Sequence, residues 1–287
     1  LKLTAVLKST NNPSHLQGIT RKIKERKKLF SDKTMTTVAN VGKTPVVEYE
    51  LYYWGGNFAG RGEYVRLLLH LCKVEWRDVG REEGSEAVLK YIRTKQQNGT
   101  YPVCFPPILT HTVNGKEEVI NQLPAVLTYL GKLYGFLPDD ALGLARTLQI
   151  SLTALDALSG AERAYHPTNS HDAYANQVEA AKPKIANYLE SRLPIFNDML
   201  EKALRMNNQG KGFYVGNKMT IADIVVYNFM RGYRSSQKDH FDCNTNIPTI
   251  KEFIKRMDSN EQIAAFLNSD RCTKMEDPNN TPLSKPP

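Results

Sequence analysis

The chain is short of cysteine, of histidine and of long apolar runs, and each shortage excludes something. Its four cysteines, Cys72, Cys104, Cys243 and Cys272, include no C-x-x-C pair. That argues against dithiol redox chemistry and for reduced thiols in the cytosol, so a cytoplasmic protein is expected. No apolar run approaches the roughly 20 residues of a bilayer span, and no secretory apolar segment appears. Of six histidines only His166 and His171 lie near each other, at a spacing that does not serve shared ligation on a helix face, so no metal site is expected. Repeats and low-complexity segments are absent apart from a proline-rich tail after Asp277.

Charge of one sign is also missing from most of the chain. The net charge is +8, but residues 1–46 hold ten of the 38 Lys and Arg against two acids, Glu25 and Asp32. From Val47 onward 28 basic residues face 28 acidic ones, so the body has no basic excess for nucleic acid and no such partner is expected. The run Arg21–Phe30 (RKIKERKKLF) suits polyanion binding or organelle targeting; the plainer readings are a disordered tail, or upstream sequence missing from the mature protein. The first residue is Leu1, and Met35 is the expected natural start.

What is present is a globular composition, 41% hydrophobic and 24% charged, on a chain long enough for two cores. Tyr49, Leu51 and Tyr53 alternate as on a strand. A glycine-rich loop then opens into an amphipathic helix with Val65, Leu68, Leu69 and Cys72 on one face. Val74–Val79 reads as a short strand, and Glu86–Gln96 as a helix capped by Ser85 and broken at Asn98-Gly99. Pro106-Pro107 leads into a strand at Ile108-Leu109. Asn114-Gly115 is a preferred two-residue hairpin turn, and the return strand covers Glu118–Ile120. A helix over Leu123–Tyr134 closes at Gly135.

After a linker, Leu137–Asp140, the pattern is helical throughout. Leu144, Leu148, Leu152 and Leu155 share one face; Ile185, Leu189, Leu193, Phe196, Leu200 and Leu204 share another, with a kink or break expected at Pro194. Thr220-Ile-Ala-Asp223 fits a helix N-cap with an acid three residues on. The expected division is therefore a basic extension over 1–46, a domain over 47–137, an all-helical domain over 141–272 and a disordered tail over 273–287.

The most informative stretch is YELYYWGGNFAGRGEYVRLLL, Tyr49–Leu69. A tyrosine hydroxyl at a strand end, facing a helix N-terminus, is placed to stabilise an anion, because the helix adds unpaired N–H groups and positive dipole character. Packing alone also puts tyrosines in strands and glycines before helices. The pair Tyr53-Trp54 followed by Gly60-Arg61-Gly62-Glu63 resembles the first strand and helix of cytosolic glutathione transferases of the tyrosine type, sigma- or mu-like in the strand. Pro107-Ile108-Leu109, the helix start at Gln122, the Thr220–Asp223 box and the closing segment Asn246–Cys272 are similar to the same family, so the likeness covers about 47–272. It implies an α+β thioredoxin-like domain followed by an all-α domain, and a homodimer. It also implies glutathione as co-substrate, no further cofactor, and a small hydrophobic electrophile bound between the domains.

The chemistry of that family is activation of a thiol. A free thiol of pKa about 8.5 is only a few per cent thiolate at neutral pH, and lowering it by about two units needs roughly 2.7 kcal/mol. One hydrogen bond to a charged sulfur, at about 1.5–3 kcal/mol, supplies much of this. The resemblance gives that role to Tyr53, with electrostatic support from Arg61, whose plainer reading is a solvated helix-start arginine. No Ser or Cys lies between Trp54 and Arg61, against the serine and cysteine types.

By the same resemblance the glutathione-binding residues are Tyr53, Trp54, Lys95, Pro106, Pro107, Gln122 and Leu123, with Pro107 at a cis position. The second-substrate pocket falls around Ala161, Tyr165 and His166. Lys95 is also what an exposed helix lysine looks like, and His166-Pro167 what a helix end looks like. Two positions depart from the family: Pro106 has no N–H to give the cysteinyl backbone, and Leu123 replaces a serine. Together these losses are worth about 2–4 kcal/mol, roughly 30- to 1,000-fold in affinity. They favour an alternative, a non-catalytic structural or interaction protein. A glutathione-dependent isomerase or peroxidase is another alternative, since it needs the same activated sulfur. Tyr53→Phe is expected to slow conjugation with little effect on stability, and deleting residues 1–34 to change neither.

Overall fold

The computed structural model describes residues 49–97, 102–113, 116–170 and 172–275. The expected extension over 1–46, the turns at Asn98-Gly99 and Asn114-Gly115, His171 and the last twelve residues lie outside the described residues. Four strands make one sheet: β1 (Tyr49–Tyr52), β2 (Trp76–Asp78), β3 (Ile108–Val113) and β4 (Lys116–Asn121), in the order β2-β1-β3-β4. β1 pairs parallel with β2 and antiparallel with β3, which pairs antiparallel with β4. The parallel pair needs a crossover, and α1 (Gly62–Cys72) provides it. β2 is shorter than the strand expected over Val74–Val79, because Asp78 accepts the Arg81 N–H and starts α2 (Val79–Glu83). α3 (Ser85–Gln97) follows, and after β4 comes α4 (Leu123–Tyr134), closed by a left-handed Gly135. This is a thioredoxin-like domain.

Strand alternation divides the apolar side chains between two cores. Tyr49, Leu51 and Tyr53 enter the main core, while Tyr52 joins Val79, Val88, Ile92, Val103 and Ile108 under α3. α1 differs from its sequence pattern. Instead of one apolar face it is buried almost all round, including Glu63 and Arg66, because α4 covers it on one side and helices of the second domain on the other.

That second domain is α5 (Ala141–Tyr165), α6 (Val178–Asn187), α7 (Leu193–Met206), α8 (Ile221–Ser236), α9 (Lys238–Cys243), α10 (Pro248–Asp258) and α11 (Glu261–Asn268). α8 is its central helix, buried continuously from Ile221 to Arg231. The Asp223 carboxylate fixes its start by accepting the N–H groups of Thr220 and Tyr214, both at 2.7 Å, and the Thr220 hydroxyl at 2.9 Å. A wide turn at Tyr188–Arg192 separates α6 from α7, whose first turn holds Pro194.

Two expectations are corrected here. The buried face of α5 is Thr147, Ile150, Ser151, Ala154, Leu155 and Leu158, whereas Leu152 is exposed; small residues at Thr147, Ser151 and Ala154 let α5 pack closely on its neighbours. The tail does not begin at 273. Thr273 is fully buried, donating its N–H and hydroxyl to Glu63 at 2.9 and 2.7 Å, and the Met275 carbonyl accepts the Ser235 hydroxyl at 2.6 Å. The segment is ordered because it supplies polar partners to a carboxylate that α1 carries into the interior. Among the described residues no helix is long and apolar enough to cross a membrane.

Candidate active site

Sheet register places three of the sequence-selected segments side by side. Tyr52 stands opposite Ile108, and Ile108 opposite Asn121. Tyr53, Pro107 and Gln122 each lie one residue beyond this row, at the same end of the sheet. With strands about 4.8 Å apart, the three span roughly 10 Å. The N-termini of α1 and α4 open at this end as well.

Tyr53 is nearly enclosed. Its hydroxyl accepts the Arg61 backbone N–H at 2.7 Å, and its ring stacks on Phe58 with centroids 6.0 Å apart. Burial is the main reason its pKa is pushed up to about 12; the Arg61 N–H pulls the other way, and Glu162 adds to the rise. At neutral pH the phenol is therefore uncharged, with its O–H proton left to give. The glycines of the turn exist for this ring: a Cβ at Gly60 would fall 2.2 Å from the Tyr53 hydroxyl, and one at Gly62 would fall 2.4 Å from the ring. Trp54 is half-buried beside it, ring centroids 6.4 Å apart.

The Arg61 guanidinium goes elsewhere. Its Nε and Nη2 donate to the two Glu162 carboxylate oxygens at 3.2 and 2.8 Å, and Nη2 also donates to the Ser159 hydroxyl at 2.8 Å. The main chain of Arg61, rather than its charge, makes the direct contact with Tyr53. A consequence is that Tyr53→Phe also removes the acceptor of an N–H, so its cost in stability is not negligible.

The remaining residues divide. The Pro106–Pro107 bond is cis, Pro107 is buried and Phe105 is exposed. Gln122 is exposed with φ +74, a region glutamine rarely adopts, and its side-chain amide has no hydrogen-bond partner among the described residues. Leu123 is buried, filling the core under the α4 start. Lys95 pairs with Glu117, four residues before Asn121 and so about 13 Å back along β4. It is therefore held away from the Tyr53 end.

Nor do Tyr165 and His166 face Tyr53 as an open wall. Tyr165 is 1% exposed and accepts the Gln237 amide at 2.6 Å; His166 closes α5, its Nδ1 3.0 Å from the Asp172 carbonyl. The α5 side chains that reach the Tyr53 turn are Ser159 and Glu162. Sequence carried no signal for them, since the partners are about a hundred positions apart.

A sheet domain of thioredoxin type joined to an all-helical domain narrows the class. Residues 165–270 match the family described as Glutathione S-transferase, C-terminal domain. The chain is 30% identical over 181 residues to S-crystallin 4 of Enteroctopus dofleini, covering 62% of this chain and 78% of that protein. It is 24% identical over 222 residues to Glutathione S-transferase Mu 1 of Homo sapiens, covering 77% and 91%. Among solved structures, the Fasciola hepatica sigma class GST gives a TM-score of 0.64 at 17% identity, over 79% of this chain and 98% of that one. The glutathione S-transferase from Ascaris lumbricoides gives 0.56 at 21%, over 77% and 96%. The chain belongs to the cytosolic glutathione transferase superfamily.

Proposed function

We propose that the protein conjugates glutathione to small hydrophobic electrophiles. Tyr53 carries this reading: its oxygen accepts the Arg61 N–H at 2.7 Å, which leaves its own proton to aim at a sulfur. The thiol gives its proton to solvent and the Tyr53 O–H stabilises the thiolate. The sulfur lone pair then forms the C–S bond as the leaving group departs from the electrophilic carbon with its bonding pair, or, at an activated double bond, as the π pair shifts to the neighbouring atom, which takes a proton from solvent. The Pro106 carbonyl and the exposed Gln122 amide, at the same end of the sheet, serve the peptide part. Phe105, Leu133, Leu142 and Leu152 are among the large apolar side chains left exposed, and a homodimer is part of the proposal.

A second reading also has support. Pro106 offers no N–H, Leu123 offers no hydroxyl, and one relative is named a crystallin rather than a transferase. On that reading the protein is a structural or interaction member of the superfamily. Calorimetric titration of glutathione separates the two. A dissociation constant at or below the millimolar range supports conjugation and justifies screening electrophiles, and no detectable heat supports the second reading.

A further inference from the structure

We infer that Glu162, together with Ser159, is a positioning residue of the Tyr53 site, holding the Arg61 side chain from helix α5 so that the Arg61 N–H stays on the Tyr53 hydroxyl. The effect on chemistry rests on the transferase reading; the effect on the turn does not. The turn Gly60-Arg61-Gly62 is closed by the Glu63 N–H on the Ala59 carbonyl at 3.0 Å and packs on the Tyr53 ring, but only Arg61 has a side chain that can tie it to the second domain. Gly60 sits at φ +40, and neither glycine carries a side chain. Upstream, the Arg66 Nη1 donates to the carbonyls of Phe58 and Ala59 at 3.0 and 3.4 Å, which fixes the chain only as far as Gly60. Downstream the rigid helix α1 begins at Gly62.

The anchor for Arg61 is supplied by one turn of α5. Ser159 and Glu162, three residues apart, present three oxygens to a planar guanidinium in a two-pronged geometry that a lone hydroxyl or amide does not reproduce. The second domain thereby sets the position of a main-chain N–H in the first. A purely electrostatic role is the competing explanation. By charge alone Glu162 opposes an anion at Tyr53 and Arg61 favours one.

The two explanations differ in sign, which makes them separable. Glu162→Gln and Arg61→Gln both break the anchor, but they change the local charge in opposite directions. Positioning predicts the same direction in both variants. In the ligand-free protein, amide hydrogen exchange at position 61 should quicken about tenfold in each, with the α8 amides unchanged. With glutathione bound, the thiol should ionise at higher pH in both, and kcat/KM near neutral pH should fall about three- to tenfold, mostly in kcat. Unchanged exchange at position 61 in Glu162→Gln overturns the inference, as do thiol shifts of opposite sign. If the wild-type protein does not bind glutathione, the transferase reading fails, and exchange at position 61 alone decides the positioning role.

Discussion

Gly60→Ala puts a methyl group where the Tyr53 hydroxyl already is. The Cβ would lie 2.2 Å from the phenol oxygen and 2.7 Å from Phe58 Cε1, at a φ of +40 that L side chains rarely adopt. The ring has no room to swing, since it stacks on Phe58 and Gly62 backs its edge so closely that a Cβ there would fall 2.4 Å from it. The backbone conformation costs about 1 kcal/mol. Overpacking adds about 1–3 kcal/mol. Losing the Arg61–Tyr53 hydrogen bond adds about 1 kcal/mol more. The sum is about 3–5 kcal/mol. Gly56→Ala is the control, with φ +71 and nothing within 4 Å of the new methyl, so it carries the backbone cost alone, about 1 kcal/mol. Urea unfolding of both variants, compared at equal m, measures the difference. Values within about 1 kcal/mol of each other would refute the close packing of this turn on Tyr53.

Three other outcomes are expected. Because burial pushes the Tyr53 phenol up to about 12, above its unfolded value of about 10, the donor proton survives alkaline conditions and the phenol weakens folding only above about pH 10. The rate of conjugation should then rise with thiol ionisation and not fall again below about pH 10; a fall between about pH 8 and 10 in a folded protein would contradict this. Glu201→Ala should cost about 2–4 kcal/mol in thermal or urea unfolding, because Glu201 accepts the N–H groups of Thr249 and Ile250 at 3.0 and 2.9 Å where α10 starts. Thr273→Val should cost about 1.5–3 kcal/mol by the same assay, through the lost hydroxyl bond to buried Glu63, and a neutral result would return residues 273–275 to the tail.

The legible parts of the fold were those whose cause is local. Alternation at Tyr49, Leu51 and Tyr53, the Leu123–Tyr134 helix with its glycine stop, and the Thr220–Asp223 cap each depend on residues a few positions apart. What stayed hidden depends on partners brought together by the second domain. Leu152 looks like a core residue by spacing, yet it is exposed while Thr147 and Ser151 are buried, because close helix packing selects size over hydrophobicity there. Glu63 and Arg66 look like surface charges. They are interior because Asp78 and Thr273 partner them, from twelve and 210 positions away. At the site, the sequence pointed to Tyr53 and to a charged role for Arg61. It had no means of showing that the Arg61 guanidinium is taken up by Glu162.

The central claim is that the Tyr53 hydroxyl stabilises a glutathione thiolate. Its most direct test is the pH dependence of thiolate absorbance in the glutathione complex, with wild-type protein and Tyr53→Phe side by side. The account predicts a wild-type thiol lowered by about two pKa units from about 8.5, and a return of about one to two units in Tyr53→Phe. The variant should remain folded, about 1 kcal/mol less stable for want of an acceptor for the Arg61 N–H. Equal thiol pKa values in the two complexes would contradict the account.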